Sequence, residues 1–488
     1  MPDPLETATT PPGSLRRVAI DPLTRVEGHG KVTLLLDADN RVQQARLHIV
    51  EFRGFERFIE GRPYWEIPVT VQRLCGICPV SHQLAASKAL DRIVGATVLT
   101  PSAEKLRRLM HHGQILQSHA LHFFHLAFPD LLFGFESEVE RRNIVGIVDS
   151  HPDIARQGIA LRKFGQEVIR MTSGKRVHGT GSIPGGVNRN LSGADRSALA
   201  AGIGRIVAWC RDAVGIVRDL HQANPALYER FGRVEAQTMS LVAADGSLDL
   251  YDGALRGRDA CGRLLFDQFD CRHYDRLITE AVKPWSYMKF PHWSAQGPEH
   301  GWYRVGPLAR VQNCDRLGTP LAEAARRELL ACGGGGPLHG PLTYHWARMI
   351  EMLFAAETIA TLLADDDLEG RDLVTGGPRQ REGVGVIEAP RGTLIHHYQV
   401  GDDDLISMAN LIVATTHNNE VMNRAVREVA RSHFDGRQVT EGLLNHIEVA
   451  IRAYDPCLSC ATHALGRMPL HVVVLDADGR EVDRRVRD

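Results

Sequence analysis

Two cysteine pairs, Cys75-Gly76-Ile77-Cys78 and Cys457-Leu458-Ser459-Cys460, carry the chemistry of this sequence. In a C-x-x-C segment the two side chains lie about one turn of chain apart. Both sulfurs can then grip one metal ion, and thiolates select soft or borderline metals. Four sulfurs suggest one shared site. A zinc ribbon places its second pair roughly 12 to 20 residues after its first, whereas here most of the chain lies between the pairs. A metal held by both would close the whole domain. The other cysteines, Cys210, Cys261, Cys271, Cys314 and Cys332, are scattered and imply no disulfide framework. Cys210 sits among Ile203, Ile206, Val207, Val214 and Val217 at helical spacing, so it is expected to pack as a small apolar side chain.

The surroundings of each pair narrow the metal. The first reads Arg73-Leu74-Cys75-Gly76-Ile77-Cys78-Pro79-Val80-Ser81-His82 and the second Asp455-Pro456-Cys457-Leu458-Ser459-Cys460-Ala461-Thr462-His463. Together they resemble the two metal-binding signatures of the large subunit of nickel-iron hydrogenases. The resemblance extends in order along nearly the whole chain. It covers Arg25-Val26-Glu27-Gly28-His29, Phe52-Arg53-Gly54-Phe55-Glu56, Pro184-Gly185-Gly186-Val187, Val305-Gly306-Pro307-Leu308-Ala309-Arg310 and Glu388-Ala389-Pro390-Arg391-Gly392. It implies an α+β, mainly α fold, with a long central helix bundle and small peripheral β-sheets.

The resemblance also implies roles. Cys75 and Cys457 would be terminal nickel ligands, and Cys78 and Cys460 would bridge nickel to iron. The iron of this family carries carbon monoxide and cyanide. Cyanides added to four thiolates leave excess negative charge, which calls for buried donors. Arg391 is the candidate, against the ordinary reading of a surface arginine in a Gly/Pro loop. Thr415 matches a hydroxyl that hydrogen-bonds a cyanide, although Ala414 stands where the family more commonly has proline. Dihydrogen is split heterolytically, so the proton needs a base. Cys457 would take it first and Glu27 would relay it. His82 matches a supporting histidine near the bridging position. Glu56 and His463 match the ligands of a hard cation, usually magnesium, which favours oxygen donors. His119, His122 and His125 lie three apart and are expected to pack or hydrogen-bond rather than bind metal. Ser118 stands where many uptake hydrogenases have aspartate.

The elements that must position these residues are partly readable. Val32–Leu36 and Val42–Val50 flank the turn Asp37-Ala38-Asp39-Asn40 and predict a hairpin. Thr100 and Pro101 open a long helix whose stripe is Leu106, Leu109, Leu116, Ala120, Phe123, Phe124 and Ala127. Further helical patterns cover 196–222, 322–333, 345–365 and 440–454. Thr440 can cap the last, and Asp455-Pro456 ends it so that Cys457 emerges beside the helix terminus. Gly333–Gly336 and Gly376-Gly377-Pro378 read as exposed loops. Three segments are expected: a flexible lead-in over 1–16, a catalytic domain over 17–463, and an extension over 464–488. The family's mature large subunit ends at the histidine matched by His463, so this extension is expected to be removed by a maturation endopeptidase.

A chain of 488 residues with 43% hydrophobic content can bury a large core. A net charge of -2 argues against a nucleic-acid partner. No run of about 18 apolar residues predicts a transmembrane helix, and residues 1–17 lack the apolar core of a secretory signal. A cytoplasmic location is expected, although membrane-bound members of the family are exported on a partner's signal. Segments such as His48–Glu56 and Trp285-Ser286-Tyr287-Met288-Lys289-Phe290-Pro291 look most like the soluble, bidirectional, NAD-reducing group. No nucleotide-binding glycine motif and no spare cysteine cluster occur here. The resemblance implies that iron-sulfur clusters, flavin and NAD belong to partners: diaphorase subunits and a small hydrogenase subunit. A deazaflavin- or NADP-linked enzyme and a regulatory dihydrogen sensor would share these site residues. The related quinone-pocket subunit of respiratory complex I lacks the paired cysteines.

Overall fold

The computed structural model describes residues 15–52, 54–434 and 436–462, with the backbone of the strands Leu470–Leu475 and Glu481–Arg487. Residues 1–14 of the expected lead-in lie outside this range. Arg16–Ile20 pairs with Gly30–Leu36 as an edge strand.

The molecule is built around one long helix. Thr100 caps it, its hydroxyl accepting from Ala103 N at 3.2 Å, and Pro101 occupies the first turn, where a missing N–H costs nothing. The helix Pro101–Leu121 runs on through a π-helical turn, His122–Ala127, into Phe128–Phe133. The predicted stripe is buried throughout, as are most side chains on the other faces. A helix surrounded on all sides belongs in the core. Its neighbours are Pro152–Ser173 and Thr343–Leu363, and Gly193–Ala223 packs against the latter. The closest approach falls at paired glycines: a Cβ on Gly165 would lie 2.6 Å from Gly113 O. Cys210 is fully buried among the apolar side chains of Gly193–Ala223, as expected.

The predicted helices are observed as Gly193–Ala223, Pro320–Ala331, Thr343–Leu363 and Glu441–Ala453. Pro152–Ser173 has no counterpart among them. Its apolar positions include Gly158 and Gly165, whose hydrophobic signal is small although both face the long helix.

The sheets are small, and one of them is largely buried beside the helix that follows Cys78. Arg16–Ile20, Gly30–Leu36 and Val42–Ile49 form an antiparallel meander. Its predicted turn closes on Asp37, whose Oδ1 accepts from Asp39 N and Arg41 N, both at 2.9 Å. A second antiparallel sheet, Glu382–Ala389, Gly392–Val400 and Ile406–Ile412, packs on the helix Pro79–Ile93. Leu470–Leu475 and Glu481–Arg487 pair as a hairpin.

Candidate metal centre

The four pair cysteines converge. Among the described residues, the Sγ atoms of Cys75, Cys78, Cys457 and Cys460 lie within 4.8 Å of one another, all buried. Cys78 immediately precedes the helix Pro79–Ile93, whose Pro79 sets the first turn. The other pair is delivered by Glu441–Ala453, where Leu443 N donates to Thr440 Oγ1 at 3.3 Å. The chain then turns at Asp455, in the left-handed region at φ 53. Cys75 Sγ lies 3.4 Å from Cys457 Sγ, and Cys457 Sγ 2.7 Å from Cys460 Sγ. Burial pushes the Cys457 and Cys460 thiols up. Burial opposes ionisation of Cys75 as well, but hydrogen bonds with the neighbouring cysteines and the Arg391 charge hold its thiol well below the usual range. Sulfurs gathered this closely in a dry pocket are costly unless a cation joins them.

The N-terminal motif lies against the second pair. Glu27 and Cys457 form a parallel bridge, and Leu458 N donates to Glu27 O at 2.9 Å. The Glu27 carboxylate accepts from Cys457 Sγ at 2.9 Å and from Ser459 N at 3.1 Å through Oε2. Gly28 follows at φ 84, and a Cβ there would lie 2.6 Å from Ser459 N. The glycine of the R-V-E-G-H motif is thus required by this close approach. Arg25 Nη2 donates to Asp130 Oδ1 at 2.7 Å, and Thr24 Oγ1 donates to Glu448 Oε2 at 2.9 Å. The second bond ties the segment to the helix that delivers Cys457, and the first ties it to Phe128–Phe133.

Arg391 is buried beside the sulfurs and is not a surface arginine. Its Nε donates to Asp455 O at 2.6 Å and its Nη2 to Asp455 Oδ1 at 3.0 Å. Its Nη1 has no hydrogen-bond partner among the described residues. Burial disfavours the guanidinium charge, yet Asp455 and Cys78, Cys457 and Cys75 keep it protonated. Arg391, His82 and Thr415 line one small cavity with Cys78, Cys457 and Cys460. Thr415 Oγ1 accepts from Cys457 N at 2.9 Å, so its own proton remains available to donate. His82 Nδ1 meets His396 Nε2 at 3.2 Å.

Arg310 sets the turn that carries Arg391. Its Nη1 donates to Glu388 Oε2 at 2.8 Å and Ala389 O at 2.7 Å, and its Nε to Glu351 Oε1 at 2.6 Å. The His119 ring meets Glu351 Oε2 at 3.1 Å, and His122 meets Arg452 O at 2.7 Å, so both hydrogen-bond as expected. Neither belongs to the sulfur cluster. Sequence reasoning missed Asp455, His396 and the Arg310–Glu351–Glu388 group. Arg310 and Glu388 stand in recognisable motifs, but their pairing joins segments distant in the chain.

Glu56 lies on the short helix Phe55–Ile59 and accepts from Leu411 N at 2.7 Å. Burial pushes its carboxyl up to about 7, against the pull of the Leu411 N–H and Lys289. His463 lies outside the described residues. The residue before it is placed, however: Gly54 N donates to Thr462 O at 3.3 Å, beside the start of the helix that carries Glu56.

A family profile described as Nickel-dependent hydrogenase matches residues 53–132 and 262–463, and one described as HoxL-like matches 17–52. The chain belongs to the nickel-dependent hydrogenase family. Similar hydrogenases include the NAD-reducing hydrogenase HoxS subunit beta of Cupriavidus necator, 48% identical over 97% of this chain and 100% of that one. A chain of the F420-non-reducing hydrogenase of Methanothermobacter thermautotrophicus is 40% identical over 96% of this chain and 99% of that one. A solved NAD+-reducing [NiFe]-hydrogenase in the H2-reduced state superposes with TM-score 0.91 at 62% identity, covering 92% of this chain and 99% of that one. The Ni-Fe-Se hydrogenase of D. vulgaris Hildenborough shares the fold at TM-score 0.75 and 24% identity, with 92% of this chain and all of that one covered. The hydrogenase large-subunit fold expected from the sequence is therefore the one observed. Four buried thiols, an arginine with an unused donor and a hydroxyl with a free proton fit a nickel-iron group. Among the described residues, no helix is long and apolar enough to cross a membrane.

Proposed function

We propose that this chain is the catalytic subunit of a cytoplasmic NAD-linked hydrogenase that splits dihydrogen reversibly. The observation that carries the NAD linkage is its likeness, along nearly its full length, to the NAD+-reducing [NiFe]-hydrogenase of known structure. When bound, the nickel-iron centre would supply the redox-active and Lewis-acidic pair that takes the hydride when the H–H bond is split. Cys75 and Cys457 would be its terminal thiolates, and Cys78 and Cys460 its bridging ones.

The protein's own groups handle the proton and the charge. Cys457 Sγ receives the proton, and Glu27 Oε2, at 2.9 Å, takes it onward without rearrangement. The Ser459 N–H on the same oxygen holds the carboxylate in place. Arg391 Nη1 and the Thr415 hydroxyl are donors available to cyanide on the iron, with Asp455 fixing the guanidinium. Glu56 and His463 would share a magnesium ion, a reading supported by the Gly54–Thr462 bond. Electrons leave through an iron-sulfur partner subunit to diaphorase subunits that carry flavin and NAD. Residues 464–488 would be removed by an endopeptidase once the metals are in place.

The test is dihydrogen-dependent reduction by the purified complex, with metal analysis and infrared bands of iron-bound carbon monoxide and cyanide. NAD should be the preferred acceptor over NADP and deazaflavin. Reduction of deazaflavin in place of NAD would overturn the linkage, and a complex without nickel would overturn the whole reading.

A further inference from the structure

We infer that the segment Val305-Gly306-Pro307-Leu308-Ala309-Arg310 is a common mount for Arg391 and Thr415, the two donors proposed for cyanide, with Arg310 positioning the first and Asn418 the second. This rests on the nickel-iron reading above. Arg391 lies at the tip of the hairpin Glu382–Ala389 with Gly392–Val400, where Ala389 pairs with Gly392 and Pro390 and Arg391 form the loop. Thr415 lies on the short helix Ala414–His417. Loop and helical turn are separate elements, and Val305–Arg310 is joined to both.

The arm to Arg391 has two contacts. Gly306, at φ 96, packs so closely that an added Cβ would lie 2.8 Å from Arg391 O, and a Cβ on Gly392 would lie 2.2 Å from Val305 Cγ2. Arg310 is fully buried and uses all of its N–H groups. Nε and Nη2 donate to Glu351 Oε1 and Oε2, both at 2.6 Å, on the helix Thr343–Leu363. Nη1 donates to Glu388 Oε2 at 2.8 Å and Ala389 O at 2.7 Å, and Nη2 also donates to Pro390 O at 3.2 Å. The planar fork thus ties the residues just before Arg391 to that helix. A lysine, with one nitrogen, cannot span the same acceptors.

The arm to Thr415 runs through Asn418. Asn418 closes the helix Ala414–His417, its N donating to Thr415 O at 3.1 Å, and its buried side chain grips the backbone of Val305. Oδ1 accepts from Val305 N at 2.9 Å, and Nδ2 donates to Val305 O at 3.4 Å. Tyr344 Oη donates to Val305 O as well, at 2.9 Å, from the helix that carries Glu351. Both arms therefore start from one anchored segment, which sets the spacing of the two donors. Outer contacts of this kind orient the groups around a metal. Releasing either arm lets its donor drift, and a hydrogen bond lost from a cyanide nitrogen lowers the cyanide stretching frequency.

The experiment is infrared spectroscopy with nickel and iron analysis of the purified holoenzyme complex, arranged as two mutant cycles. One combines Arg310→Lys with Arg391→Lys, the other Asn418→Ala with Thr415→Val. Each single substitution should move the cyanide bands to lower wavenumber. Within a cycle the double mutant should match the donor mutant alone, because a positioning residue acts through its donor. Arg310→Lys with Thr415→Val, taken from different arms, should instead show the sum of the two shifts. If Arg310→Lys loses its metals, Glu351→Gln takes its place, since it loosens the same tie and leaves Arg310 paired with Glu388. Bands unmoved in either positioning mutant at full nickel and iron content would overturn the inference, as would shifts that add within a cycle. Bands unmoved in Arg391→Lys and Thr415→Val would instead overturn the reading of these two as cyanide donors, and absence of carbon monoxide and cyanide bands from the wild type would overturn the nickel-iron reading itself.

Discussion

The contact between Cys457 Sγ and Glu27 Oε2 at 2.9 Å places a proton acceptor directly on one of the clustered sulfurs. Glu27→Gln keeps the shape, and its amide oxygen can still accept from Ser459 N, but it cannot take up a proton. Dihydrogen/deuterium exchange should fall by about 10²- to 10⁴-fold, the usual worth of a positioned base, while nickel content stays at the wild-type level. Unchanged exchange would remove Glu27 from the path. Cys460 poses a different case, since its sulfur lies among all the others. Cys460→Ser replaces a soft ligand with a poor one, so turnover should be lost together with bound metal. Full turnover with normal nickel would contradict a single shared site. Arg391 shows what neighbouring residues decide: an isolated arginine in a Gly/Pro loop reads as exposed, yet Asp455 and the thiols hold it buried and charged.

The site depends on how closely the helix Pro79–Ile93 and the strand Glu382–Ala389 approach. One delivers Cys78 and His82, and the other leads into Arg391. A Cβ on Gly385 would lie 2.2 Å from Ala85 O and 2.5 Å from Ala89 N, both backbone atoms of the helix. Backbone cannot swing aside as a long side chain can. Gly385→Val should therefore destabilise the protein by about 1–3 kcal/mol or more, as overpacking does, and lower metal retention by separating the elements. Gly76, where an added Cβ meets nothing within 4 Å, supplies the control: Gly76→Ala should leave the thermal midpoint unchanged. A Gly385→Val midpoint equal to that of Gly76→Ala would refute the close-packing account. The helices themselves were legible because cap and stripe agreed, as at Thr100 and Thr440. The helix Pro152–Ser173 was not, since glycine faces its neighbour where a longer apolar side chain would have marked the stripe.

Across the whole molecule, buried histidines make folding sensitive to acid. Burial lowers His48, His111, His119 and His339 to about 4, and pushes His112, His122 and His345 well down. Between that range and the unfolded value near 6.5, the unfolded chain binds protons that the native state refuses. Stability is then fully present above about 6.5 and falls as the pH drops toward 4, by up to about 1.4 kcal/mol per pH unit for each histidine. Thermal midpoints at pH 7, 6 and 5 should decline with increasing steepness; a flat profile would contradict the burial of these rings. The other molecular-scale expectation concerns residues 464–488. Intact-mass measurement of active enzyme should find the chain ending at His463, and full activity in a chain that retains the extension would refute processing. The hairpin Leu470–Leu475 with Glu481–Arg487 agrees with the strand character of Val472-Val473-Val474-Leu475 and does not decide between the two outcomes.

Residue type and spacing by themselves pointed to one shared soft-metal site and placed most long helices, while the nickel-iron assignment and the α+β plan came from the resemblance to the hydrogenase large subunit. Soft ligands, capping residues and apolar periodicity are local properties that a sequence displays directly. Tertiary structure decided which distant groups meet. The shared cysteine site and the Glu27–Cys457 pairing were already expected, but the grip of Asp455 on Arg391, the Arg310–Glu351–Glu388 group and the contact of His396 with His82 join segments separated along the chain with nothing in the sequence to announce them. No local pattern encodes such pairings, because each is set by how helix and sheet pack, and burial then assigns the charge and proton that each group must carry.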